Sequence, residues 1–435
     1  MLGLLPVIMP ARSNIWIRLQ RTGGLERDMR SRLYLLLAAL LLVAAVIPMT
    51  GCGGGGQEAA YSSMARYWNE PIKVGALFAV TGVYAPLGDP EKKTAEMMAE
   101  QINNAGGING HPLELVIYDT ESDTTKCSTL ATKLIEQDKV VAIIGPTSTG
   151  ETMAILDTVT KAGIPLIACA AAEEIVTDTS KNPPEVREWV FMTPQTSDQA
   201  VQRIFDYLQQ KGIKNIAVIT DAAGFGALGK KALVAEAPNY GLTIVASQEF
   251  QNDTSLDPTA QLQNIENATP SAEAVICWGT NPGPAIIATK MKERGMTIPL
   301  YNSHGIANKT FITTAGEAAN GVIFPGGKLL VADKLLDSNP QKAVLIQYRQ
   351  DFETKYGAGT ANTFGGHAYD ALSMVVMALR EVGPDKTAMR DYIQTITNFV
   401  GISGIFNMSA ENHQGLTKEA FVLIEIKNGQ WTWLQ

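Results

Sequence analysis

IKVGALFAVTGVYAPLGDPEKKTAEMMAEQINNAGGINGHPLELVIYD, residues 72–119, carries the pattern on which the fold turns. Its first nine residues, IKVGALFAV, are a short, nearly continuous apolar run, as a strand buried on both faces requires. A turn region follows at 82–88, bounded by Gly82 and Gly88. Residues 92–104 then read as a helix, with Ala95, Met98, Ala99 and Ile102 spaced along one face. Gly106 and Gly107 stop it. LELVIYD, 113–119, is a second strand. Strand, helix and strand in one short stretch make a βαβ unit with parallel strands and a right-handed crossover.

The alternation continues. A helix at 124–138, a buried strand at 140–145, a helix at 151–162 and a strand at 165–169 complete one series. A second begins with a helix at 197–211 and a strand at 215–220, then a helix at 229–240 and a strand at 242–247. A helix at 258–267, a strand at 274–278, a helix at 283–294 and a strand at 299–302 extend it. After VIFP (322–325) comes a polar stretch, then helices at 342–356 and 364–382, and β-like segments at 404–407, 420–426 and 430–435. The predicted class is α/β, with two doubly wound parallel-sheet lobes. Ligands of such sheets sit beyond the carboxyl ends of the strands. Those ends are 82–88, 145–150, 170–174, 221–226, 279–284 and 302–308, rich in Gly, Ser, Thr and Asn.

The whole chain has 435 residues, 46% apolar, with a net charge of -8 and four cysteines. This length implies more than one domain and a core large enough to need no disulfide or metal staple. The acidic balance argues against nucleic acid as a partner. One long apolar run excludes a multi-span membrane protein.

That run lies near the start. Arg30 and Arg32 precede LYLLLAALLLVAAVIP, and Met49-Thr50-Gly51-Cys52 follows. The 15 apolar residues at 33–47 would reach only ~22 Å as a helix, short of a ~30 Å hydrocarbon core. A basic segment, an apolar segment and small residues before a cysteine are the parts of a secretory signal. The last four residues resemble a bacterial lipobox, which implies acylation of Cys52 and cleavage before it. Residues 29–51 are then the signal, and Gly53 to Gly56 open a flexible tether over 52–70. Residues 1–28 fit none of this, and Met29 is the expected start. Residues 1–51 carry six arginines against Glu26 and Asp28, so the remaining 384 residues bear 29 basic and 41 acidic side chains, a net -12. The expected location is extracytoplasmic, on a lipid anchor.

Catalytic signatures are sparse. Gly224-Phe225-Gly226-Ala-Leu-Gly229 follows a strand and opens a helix, and Glu249 lies 20 residues beyond, as in a dinucleotide fingerprint. The alternative is a tight βα turn that merely uses glycines. No phosphate-binding G-x-x-x-x-G-K-[ST], H-E-x-x-H or G-x-S-x-G occurs. The histidines (111, 304, 367 and 413) have no metal-ligand spacing. Cys127, Cys169 and Cys277 read as small buried apolar residues, and Glu173-Glu174 as solvated charges at a helix start. No cofactor, metal or catalytic set is expected, and a binding protein fits better than an enzyme.

Several segments carry a family resemblance: IKVGALFAVTG (72–82), Gly88-Asp89, INNAGGINGHPLELVIYD (102–119), AIIGPTST (142–149), AGIPLIA (162–168) and GIANKTF (305–311). From Pro71 onward the chain resembles the periplasmic leucine/isoleucine/valine-binding proteins of ABC transporters, of the type I periplasmic binding fold. The resemblance implies three crossings between lobes, near Thr193, Pro325 and Gly401. Lobe 1 is then 71–192 with 326–400, and lobe 2 is 193–325 with 401–435.

The resemblance also implies a ligand site. Ser148 and Thr149, followed by Gly150, match the loop that offers a hydroxyl and backbone N–H groups to a ligand carboxylate. Ala170 and Ala172 match a backbone carbonyl and a threonine hydroxyl, the latter lost here. Phe225 matches an aromatic before a glycine. Thr280 matches a second aromatic, with Trp278 nearby. His304 matches the acidic residue that pairs with the ligand ammonium. The family disulfide is replaced by Ser122 and Ser148. With Ala172 and His304 in place, a buried ammonium would lack its usual partners. The expected ligand is a small carboxylate (amino acid, aromatic acid) or amide, with Phe225, Trp278 and Tyr84 as walls. The implied partner is a membrane ABC permease, and the chain is expected to be a monomer. A ligand-sensing receptor component and an exported nucleotide-dependent oxidoreductase are the alternatives.

Overall fold

The computed structural model describes residues 70–434. The signal, Cys52 and the Met29 start lie outside them. In the first lobe come β1 (Ile72–Phe78), α1 (Ala85–Asn104), β2 (Leu113–Asp119), α2 (Thr124–Lys133), β3 (Ile143–Ile144), α3 (Thr149–Ala162), β4 (Leu166–Ala168), α4 (Glu173–Val176), β5 (Thr177–Asp178), β6 (Glu185–Val186) and β7 (Val190–Met192). The second lobe continues with α5 (Ser197–Gln210), β8 (Asn215–Asp221), α6 (Gly224–Glu236), β9 (Thr243–Phe250), α7 (Thr259–Glu266), β10 (Ala274–Trp278), α8 (Gly283–Glu293), β11 (Leu300–Asn302), α9 (Lys309–Ala315) and β12 (Ile323–Gly327). Then follow α10 (Lys342–Tyr356), α11 (Thr363–Val382), α12 (Lys386–Ile393), β13 (Phe399–Val400), β14 (Ile405–Phe406), β15 (Phe421–Lys427) and β16 (Gln430–Trp433).

The first sheet runs β2-β1-β3-β4-β7, all parallel. The second runs β16-β15-β12-β11-β10-β8-β9, in which only β15 is reversed, antiparallel to both β12 and β16. Along β1, Val74, Ala76 and Phe78 enter a core formed with α1 and α11, while Leu77 enters the opposite core with α2 and α3. That two-sided burial is why the strand reads as a continuous apolar run. Strand order reverses between β1 and β3 in one lobe and between β8 and β10 in the other. Such switch points are where doubly wound sheets leave a crevice.

Three of the boundaries that differ from the sequence expectation bear on the cleft. Helix α1 begins at Ala85, not 92, because Pro86 is tolerated in a first turn and Gly88 lets the helix touch the end of β1. A Cβ on Gly88 would lie 2.2 Å from the Ala79 carbonyl oxygen. Pro90, inside α1, cannot donate to the Pro86 carbonyl. That carbonyl instead accepts from Asn308 Nδ2 of the other lobe, at 3.2 Å. Likewise α6 begins at Gly224, not 229. The third crossing is also later than Gly401. Phe406, Met408 and Leu416 still pack in the first lobe's core, and the chain enters the second sheet only at Phe421.

Side-chain amides hold the return segment 401–416 against the first crossing and the start of α10. Gln195 Nε2 donates to the Ser403 carbonyl (2.6 Å), Gln341 Nε2 to the Gly401 carbonyl (3.1 Å) and Gln414 Nε2 to the Pro194 carbonyl (3.1 Å). Beneath them, fully buried Asp370 accepts from the amides of Ile402 and Ser403, each at 2.7 Å. Burial pushes its carboxyl up to about 7, against the pull of those hydrogen bonds. The folded state therefore keeps this proton to a higher pH than the unfolded chain does. Its contribution to stability is full below pH ~4, falls as pH rises to about 7, and is then lost, a change of up to about 4 kcal/mol. His304, His367 and His413 are buried with lowered pKa values and act in the opposite sense below pH ~6.5. The comparison that isolates Asp370 is wild type against Asp370→Asn in chemical denaturation from pH 4 to 8. Wild type is expected to lose stability relative to the variant as pH rises, and a constant difference would contradict this assignment.

Candidate ligand site

The loops at the two switch points face each other, and a cavity lies between them. Thr149 and Gly150 open α3 on one side, and Phe225, the second residue of α6, stands opposite. A Cβ on Gly224 would lie 3.2 Å from the Gly150 nitrogen, so the lobes are closed on each other here. Lys231 of the second lobe also meets Glu174 of the first at 2.7 Å. The enclosed space is about 40 Å³, room for a few waters at most.

Helix starts surround this space. Tyr84 is the N-cap of α1, Ser148 the N-cap of α3, and Phe364 the second residue of α11. Of the cavity-lining residues at these starts, only Thr149 and Gly150 of α3 have free amides among the described residues; at α1 the Ala85 and Leu87 amides donate to the Gly82 and Tyr84 carbonyls, and at α11 the Phe364 and Gly365 amides donate to Asn362. The free amides and dipole of α3 favour an anion there without a side-chain cation. Among the described residues, no Asp, Glu, Lys or Arg lines it. The nearby acids are engaged elsewhere. Glu151 accepts from the Ser148 amide and hydroxyl, Asp221 from the Ala223 amide, and Glu91 from the Thr147 hydroxyl. Burial pushes the Glu91 carboxyl well above the usual carboxylate range. The Tyr84 phenol is pushed up by burial and then by Asp221 and Glu151.

Most sequence-derived candidates meet at this cavity: Tyr84, Ser148, Thr149, Ala170, Phe225, Thr280 and His304 line it. Ser148 does so with its hydroxyl committed, because it donates to Glu151 Oε2 at 2.6 Å and accepts from the Glu151 amide in a capping box. Two candidates are placed otherwise. Ala172 is the N-cap of α4 and is fully buried in the first lobe's core, while Ala171 lines the cavity. Trp278 is also fully buried and packs behind Phe225 and His304, each ring centre 6.0 Å away. His304 is 6% exposed, and burial pushes its imidazole down to about 3, so it is neutral. Sequence reasoning missed Cys169 as a wall, together with Phe364 and His367. The last two arrive from the start of α11, marked locally only by its cap, Asn362.

The glycines of the candidate nucleotide motif are accounted for by packing. A Cβ on Gly226 would lie 1.9 Å from the Asp221 carbonyl oxygen, and one on Gly229 2.1 Å from Trp278 Nε1. Glu249 pairs with Lys230 at 2.9 Å. A roomier groove of about 430 Å³ lies at another part of the lobe seam, touched by Lys93 and Arg349. Those two cations are paired with Asp89 and Asp333. Among the described residues no three His, Cys, Asp or Glu are grouped to hold a metal, and no helix is long and apolar enough to cross a membrane.

Residues 71–430 match the family model described as periplasmic binding protein. The chain belongs to that family. As a member, it is 27% identical over 323 residues to a leucine-, isoleucine-, valine-, threonine- and alanine-binding protein of Pseudomonas aeruginosa, covering 73% of this chain and 81% of the relative. It is also 27% identical over 348 residues to a Leu/Ile/Val-binding protein homologue of Brucella suis, covering 74% and 85%. Among solved structures, an extracellular ligand-binding receptor from Rhodopseudomonas palustris superposes with a TM-score of 0.76 at 25% identity, over 84% of this chain and 99% of that one. An isoleucine complex of a branched-chain amino acid transporter's substrate-binding protein from Streptococcus pneumoniae superposes with a TM-score of 0.71 at 23% identity, over 84% and 100%. The two lobes are those of the type I periplasmic binding fold.

Proposed function

We propose that this chain is the extracytoplasmic substrate-binding lipoprotein of an ABC importer, anchored through Cys52, and that it captures a small carboxylate lacking an ammonium group. The observation that carries the ligand class is the cavity itself: the free Thr149 and Gly150 amides at the start of α3, and no lining acid. A ligand carboxylate at the amides of Thr149 and Gly150 meets N–H donors and the positive end of α3. An ammonium beside it would be desolvated with no counter-charge, at a cost of several kcal/mol. Binding engages Thr149 from one lobe and Phe225 from the other. Such a ligand stabilises the closed form by its contacts to both, and the three crossings act as the hinge. The closed form is then the one presented to the permease. Binding of amino acids by relatives such as the Pseudomonas aeruginosa protein supports the ligand's size class. The capture role needs no bond chemistry and no cofactor. The test is calorimetric titration of leucine beside its deaminated counterpart, with the acid expected to bind more tightly.

A further inference from the structure

We infer that the ligand carries a hydroxyl or oxo group next to its carboxylate, a 2-hydroxy or 2-oxo acid, and that His304 is the residue that reads it. This rests on the carboxylate reading above and narrows it. His304 lines the cavity, yet neither ring nitrogen has a hydrogen-bond partner among the described residues. Its neighbours are aromatic: Phe225 at 5.2 Å edge-on, Trp278 at 6.0 Å and Phe421 at 5.3 Å between ring centres. These rings fix its orientation and offer it no hydrogen bond. Among the described cavity-lining side chains, His304 is the one whose buried polar atoms have no partner. Buried polar groups in folded proteins are nearly always satisfied, so an unpartnered imidazole facing a ligand cavity marks what the ligand supplies.

Charge decides what that is. A neutral imidazole presents one donor and one acceptor. An ammonium facing it would satisfy the acceptor and leave a buried positive charge with no lining carboxylate. A second carboxylate would be buried with no lining cation. A hydroxyl or oxo group is uncharged and fits a neutral ring. His304 lines the same cavity as Thr149 and Gly150, so the group that reaches it is set beside the carboxylate, at the 2-position.

The test titrates the full chain with sets that differ only at that position. One set is 4-methylpentanoate, its 2-hydroxy and 2-oxo derivatives, and leucine. The other is the same four variants of 3-phenylpropanoate. In at least one set the hydroxy or oxo acid is expected to bind at least about tenfold more tightly than the plain acid. His304→Phe should remove that preference, so that the substituted and plain acids bind the variant with equal affinity. His304→Gln, which keeps a donor and an acceptor, should retain part of it. Equal wild-type affinity for plain and substituted acids overturns the inference and leaves the carboxylate site standing, as does a preference that survives in His304→Phe. Failure of every acid to bind the folded protein overturns both.

Discussion

Gly226→Ala is expected to destabilise the protein by about 3 kcal/mol or more. In an exposed helix the same change would be worth up to about 1 kcal/mol in favour of alanine. Here the added Cβ would sit 1.9 Å from the Asp221 carbonyl oxygen and 2.5 Å from its carbon, both backbone atoms at the end of β8. Neither can swing aside as a side-chain tip would. Relief requires α6 to lift from the sheet, which drags Gly229 off Trp278 and opens the core that Trp278 closes. Chemical denaturation with a matched Ala227→Gly control, exposed on the same helix, checks this. The control should cost about 1 kcal/mol. Equal small losses in both would show that Gly226 is not a packing requirement.

Gly150→Asp should leave folding intact and weaken carboxylate binding by about 100-fold. The new Cβ meets only Thr124 Cγ2 at 3.6 Å, an ordinary contact. An acid in the first turn of α3 also favours the helix dipole. The same charge lies beside the amides proposed to hold the ligand. Two like charges roughly 6 Å apart in an effective dielectric of about 20 repel by about 3 kcal/mol, which sets the factor. Calorimetry beside a thermal melt separates the outcomes. An unchanged melt with undiminished affinity would move the carboxylate away from α3.

The alternation of strands and helices was legible because period and apolarity encode it locally. Glycine was where that reading failed. Gly88 and Gly226 look like turn residues, yet both lie inside helices, where the missing Cβ lets a helix touch a strand end. Close approach and chain breaking leave the same letter in a sequence. The third crossing was misplaced because the return through 401–420 has no period of its own, and Phe406 is held by partners far along the chain. At the site, the loops themselves follow from the switch-point rule. Which residue of each loop looks inward does not. Ala171 rather than Ala172 faces the cavity, and Trp278, as the last residue of β10, falls on the face that packs against α6. Phe364 and His367 reach the cavity from a helix more than 200 residues beyond Thr149, a proximity that only the tertiary fold creates.

The central claim is that the cleft holds a carboxylate and has no place for an ammonium. Its most direct measurement is calorimetric titration of the wild-type chain with leucine and with 4-methylpentanoate, which share a carbon skeleton and differ in that one group. The account predicts that the acid binds at least about 100-fold more tightly, reflecting the cost of an unpaired buried charge. Leucine binding as tightly as the acid, or more tightly, would contradict it.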